Sequence, residues 1–90
     1  MAREDRVAFV LETLEECRVP LRGIDVFRAC RLRGATFERR STNNYLRELI
    51  DRGDVLKVSS DALETGDIEE IDTSERGHFI AADVAAEYRD

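Results

Sequence analysis

The chain has 90 residues, 42% of them hydrophobic and 38% charged, with one proline and five glycines. That balance excludes a collagen, a low-complexity linker and a fully disordered tail, and at this length one modest core is possible but not two. A single domain over residues 1–90 is therefore expected, with residues 1–4 frayed.

Thirteen arginines and one lysine face twenty acids, a net charge of −6. The charge is not spread evenly. Residues 1–17 carry −3, residues 18–57 carry +5 and residues 58–90 carry −8. A basic middle between acidic ends places any polyanion-binding surface in the middle third. Little lysine with many acids is what a cytoplasm full of salt selects, although a GC-rich genome also favours arginine. No apolar run is long enough for a membrane span, and the charged opening Met1–Arg6 is no export signal, so a cytoplasmic location without membrane contact is expected. Cys17, Cys30 and His78 make three ligands where a structural zinc needs four. The two thiols read as small buried apolar groups. There is no Gly-rich phosphate loop, nucleophile elbow or metal triad, so no enzyme, cofactor, metal or small-molecule ligand is expected.

Periodicity sets out the elements in chain order. Asp5 can cap a helix whose stripe is Val7, Val10, Leu11, Leu14 and Cys17. Pro20 ends it and leaves Val19–Leu21 extended. Gly23 opens a second helix, with Ile24, Phe27 and Cys30 at spacing three, ending at Gly34. A third helix starts at Thr36 or Glu38 and runs to Arg52, with Gly53 as its stop. Asp54–Ser59 alternates as a strand. Ser60–Asp67 reads as a turn or hairpin tip, and Ile68–Ile71 as a weak return strand. Asp72 or Thr73 caps a final helix over residues 73–89, where Asp72 and Glu75 have capping-box spacing. The expected fold is thus mainly α with a small β-hairpin (α+β): helix, short strand, helix, tight turn, helix, two-stranded wing, helix. That is the winged helix-turn-helix order.

The third helix, about residues 38–52, carries the candidate chemistry. At 100° per residue, Thr42, Tyr45, Leu46, Leu49 and Ile50 gather on one face for the core. The other face presents Arg40, Asn44 and Arg47, with Ser41 and Glu48 beside them and Asn43 at the flank. Arg39 projects from the helix start. Arginine reads guanine and asparagine reads adenine through paired hydrogen bonds in the major groove, so Arg39, Arg40, Ser41, Asn43, Asn44 and Arg47 are the candidate base contacts. Arg28, Arg31, Arg33 and Lys57 are candidate phosphate contacts that set register. The expected partner is double-stranded DNA.

Residues Thr42–Val55 resemble the T-V-x-x-x-L-x-x-L-x-x-x-G-x-V stretch of winged helix-turn-helix transcription regulators of the MarR/ArsR/PadR type. Ile71–Ile80 resembles their I-T-x-x-G-x-x-Y-L segment. With Gly34-Ala35-Thr36-Phe37 ahead of the third helix, and with its acidity, the chain is most similar to small haloarchaeal and halophage repressor-like members. The resemblance implies a dimeric DNA-binding regulator, a repressor. Asn43 stands where those proteins commonly have an apolar residue, and the wing lacks their minor-groove Arg or Lys.

Two further expectations concern partners. The final helix shows an apolar stripe of Phe79, Ile80, Val84 and Tyr88, which would seat a second copy in a homodimer. Between Lys57 and Arg76 there is no positive charge, while Asp61, Glu64, Asp67, Glu69, Glu70 and Asp72 crowd the wing. Such a wing is repelled by phosphate at ordinary salt. The alternative is a winged-helix protein-interaction module or an acidic DNA mimic.

Overall fold

The structure is a computed structural model and describes residues 2–89. Its first helix, α1 (Arg3–Glu16), begins ahead of Asp5, which lies inside the first turn and accepts a hydrogen bond from the Ala2 amide at 3.2 Å. The carboxylate therefore serves the helix N-terminus from within, where it also suits the helix dipole. Arg3 and Glu4, expected to fray, are helical, and Glu4 takes the Arg52 guanidinium at 3.0 Å. Val7, Val10, Thr13 and Leu14 are buried along one side, and Leu11 is half-buried.

Pro20 stops α1, and Leu21 then forms an isolated antiparallel bridge to Phe79. The expected strand is reduced to that one pair. The second helix, α2 (Gly23–Leu32), buries Val26 and Cys30 at spacing four. Ile24 and Phe27, expected in the core, are only half-buried. The third, α3 (Arg39–Arg52), follows the tight turn and buries Thr42, Tyr45, Leu46 and Leu49, the face its periodicity selects. Glu38 occupies its N-cap position, and Gly53 closes it in the left-handed region at φ 81°. There an L side chain would be strained. Fully burying each of Leu14, Leu46 and Leu49 stabilises the fold by roughly 1.5–3 kcal/mol.

The chain then makes β1 (Val55–Val58), a short helical turn α4 (Ala62–Thr65), β2 (His78–Ala81) and α5 (Ala82–Arg89). The two strands pair antiparallel, from Val55 opposite Ala81 to Val58 opposite His78. The molecule is mainly helical with this small two-stranded sheet. α1 packs on α2, α3 and β2, and α5 lies against both strands. Phe9, Phe37 and Tyr45 stack edge to face, with centroids 6.1 and 5.3 Å apart, and tie α1 through the turn to α3. Among the described residues no helix is long and apolar enough to cross a membrane.

Three expectations for the last third are corrected. Ile68–Ile71 is not the return strand; it touches β1 only through a bridge between Val58 and Glu70. The return strand is His78–Ala81, which lay inside the expected final helix. The Asp72/Glu75 capping chemistry is real but closes a turn: the Ser74 amide donates to Asp72 Oδ1 at 2.9 Å and the Asp72 amide to Glu75 Oε2 at 3.2 Å. After that turn Gly77 lets the chain pass close to β1 and run on into β2. A Cβ there would lie 2.3 Å from the Val58 carbonyl oxygen, so the chain passes β1 too closely to carry a side chain. The helix itself begins only at Ala82.

Candidate nucleic-acid interface

With one face of α3 buried, the other is set towards solvent. Arg39, Arg40, Asn43, Asn44 and Arg47 are exposed on it, and Ser41 is half-buried at its margin. The six candidate base-contact residues therefore belong to one helix, and five of them face solvent. Glu48, expected beside them, turns to the flank, where it pairs with Arg3 at 3.7 Å and with Arg52 at 3.4 Å.

How the cations are partnered separates this face from the rest of the molecule. Arg3, Arg18, Arg22, Arg28, Arg33 and Arg52 each form an ion pair with a carboxylate. Arg6 donates to the Tyr45 hydroxyl, Arg31 lies over the Phe27 ring, and Arg89 donates to the Ile68 carbonyl. Arg39, Arg40, Arg47 and Arg76 have no hydrogen-bond, ion-pair or aromatic-ring partner among the described residues. Three of those four lie on α3. In a chain with twenty acids, a helix face that keeps its guanidinium groups unpaired holds them ready for an external anion.

The candidate phosphate contacts are not equivalent. Lys57 stays beside α3: its ammonium sits 5.6 Å from the Phe79 ring centroid and donates to the Thr73 carbonyl at 3.0 Å. Together with Asn43, Arg47 and Thr73 it lines a cleft of about 240 Å³ between α3 and the strands. Arg28 shares Asp25 with Arg22, whose hydrogen bond does most to hold the Asp25 carboxyl below its ordinary pKa. Arg31 remains on the exposed side of α2. Arg33 is exposed but already engaged within the molecule. Its guanidinium donates to Thr13 Oγ1 at 2.6 Å, stacks over Phe9 and pairs with Glu16, so it works in the α1–α2 packing. The neighbouring thiols of Cys17 and Cys30 are both raised in pKa, chiefly by burial.

The expected interface for a second copy is largely absorbed by the chain itself. Ile80 is 0% exposed and Val84 2%. Phe79 lies on β2, its ring 3.5 Å from where a Gly23 Cβ would stand. Tyr88 is exposed, but its hydroxyl donates to the Arg18 carbonyl while Glu87 pairs with Arg18. The stripe folds back because its first half is strand rather than helix.

Arg76, Arg22 and His78 join the basic side of the molecule without having been singled out in the sequence. Arg76 and His78 fall within the span expected for the final helix, which begins only at Ala82. The available signal was Gly77, a poor residue for a helix interior directly beside them. Opposing these cations, Asp61, Glu64, Asp67, Glu69, Glu70, Asp72 and Glu75 are all exposed on the segment between the strands. Comparison with known protein families, with characterised proteins and with solved structures finds no match to this chain.

Proposed function

We propose that the chain is a winged helix-turn-helix regulator, a repressor, that binds double-stranded DNA with α3 in the major groove. α2, the tight turn and α3 supply the helix-turn-helix, the segment between β1 and β2 is the wing, and the Leu21–Phe79 pair is the remnant of the third strand. The observation that carries the reading is the row of unpaired guanidinium and exposed amide groups on α3: Arg39, Arg40, Asn43, Asn44 and Arg47. These are side chains that read base edges in pairs of hydrogen bonds. The reading concerns one chain on one half-site, since Ile80 and Val84 serve its own core.

The test is fluorescence polarisation with labelled random duplex, at about 0.1 M and about 2 M KCl. Binding at either salt supports the reading. The acidic wing favours a second reading, a protein-contact module or DNA mimic, because seven carboxylates there repel phosphate when unscreened. Absence of duplex binding at both salts selects it.

A further inference from the structure

The side of α3 facing the strands opens into a second cleft, of about 490 Å³, where three separate parts of the chain meet. Arg22 and Gly23 come from the start of α2, Arg39 from the start of α3, and Lys57, Arg76 and His78 from the strands and the turn before β2. Four of these six residues are permanent or near-permanent cations. None of the residues lining the cleft is an acid, although acids outnumber bases in the chain by twenty to fourteen.

Several details give the cleft a chemical character. Arg39 and Arg76 have no partner among the described residues, and Lys57 keeps donors beyond the one given to Thr73. The first turn of α2 has no side-chain cap, because its N-cap residue is Arg22, whose side chain only donates. His78 Nδ1 is buried without a hydrogen-bond partner, an unsatisfied group at the cleft wall. Ile24 and the Phe79 ring add an apolar wall beside the cations.

We propose that this cleft is a binding site for the phosphate group of a phosphate ester. Guanidinium and ammonium side chains drawn to one cleft from three parts of the chain suit a tetrahedral anion with several acceptor oxygens. The volume exceeds what a bare phosphate fills, and the Phe79–Ile24 wall is placed for the sugar or base attached to it. The ester can be a free small molecule or a link of a DNA backbone. The site stands on its own residues, whichever way duplex binding by α3 is decided.

The experiment is a titration of the full chain, at constant ionic strength set with KCl, followed by amide NMR. Inorganic phosphate is added first and adenosine 5′-monophosphate second. Saturable shifts centred on Gly23, Ile24 and Gly77 are expected, with the nucleotide binding more tightly. Lys57→Gln and Arg76→Gln should each weaken binding about fivefold or more, and Arg89→Gln, which removes the same charge elsewhere, should not. All three positions are exposed or half-buried, and the dispersion of each spectrum reports that the variant is folded. Shifts that never saturate, that chloride reproduces, or that Arg89→Gln weakens equally overturn the site. A nucleotide no tighter than inorganic phosphate overturns its assignment to an ester. Added duplex then identifies the source: displacement of phosphate from the same amides assigns the group to the DNA backbone, and coexistence of the two assigns it to a free ester. A cleft that binds phosphate in a chain that ignores duplex keeps this site and removes the recognition role of α3.

Discussion

Gly77 has no room for a side chain, and its obstacle is backbone. A Cβ would meet the Val58 carbonyl oxygen at 2.3 Å and Ile71 Cδ1 at 2.6 Å. The isoleucine can rotate away; the carbonyl, held in β1, cannot. Gly77→Ala should therefore destabilise the fold by about 1–3 kcal/mol, as overpacking does, and a denaturant midpoint equal to wild type would contradict the contact. The α3 face invites a different substitution. Arg40→Ala, Asn44→Ala and Arg47→Ala should each weaken specific duplex binding by about 1–3 kcal/mol while leaving the melting temperature alone. Their side chains are exposed, so nothing in the core depends on them. Unchanged affinity in all three would remove α3 from the interface. At Asp72, the Ser74 amide, and after it the Ser74 hydroxyl, hold the carboxyl below its ordinary pKa. A depressed carboxylate stabilises the turn above the unfolded-state pKa and loses that contribution as acid passes through the folded-state value. Protection of the 72–75 amides from hydrogen exchange should therefore fall on acidification, and fall less in Asp72→Asn.

At the scale of elements, helices were easier to read than strands. The three-residue and four-residue spacing of Val7, Val10 and Leu14, and of Thr42, Tyr45, Leu46 and Leu49, is a repeated local signal that burial then follows. Glycines at 34 and 53 mark ends that any helix would respect. The strand His78–Ala81 is hard to read because two of its residues, Phe79 and Ile80, also fit a helical stripe with Val84 and Tyr88. What decides between the two is the distant pairing with Val55–Val58, which no local pattern contains. The site shares that history. Its α3 residues were legible from one helix, whereas Arg22, Arg76 and His78 become neighbours only once β2 pairs and Leu21 bridges Phe79. A stability measurement separates the helix and strand accounts of the last element. Val84 is 2% exposed, so Val84→Glu should cost several kcal/mol of folding free energy, about 3 or more, by burying an unpaired charge. A fully stable Val84→Glu chain with half the wild-type solution mass would instead restore the stripe as a dimer contact.

For the molecule as a whole, charge is arranged by region. The acids of residues 58–89 are exposed, and among the described residues only Glu87 of them forms an ion pair, with Arg18, since the other ion pairs lie within and between α1, α2 and α3. Their repulsion is long-ranged at low salt and short-ranged in brine, where the screening length falls to about 3 Å. The melting temperature should therefore climb as KCl rises from about 0.1 to 3 M, and a flat profile would show that the acidic surface costs the fold nothing.

The unpaired cations of α3, Arg39, Arg40 and Arg47, are all guanidinium groups, and that choice has a consequence in brine. A guanidinium is a flat fork of donors that fits two oxygens of one phosphate or carboxylate side by side, which a spherical chloride cannot offer. Concentrated salt screens the charge of the row and leaves its shape untouched, so an oxyanion keeps an advantage there that charge alone would not give.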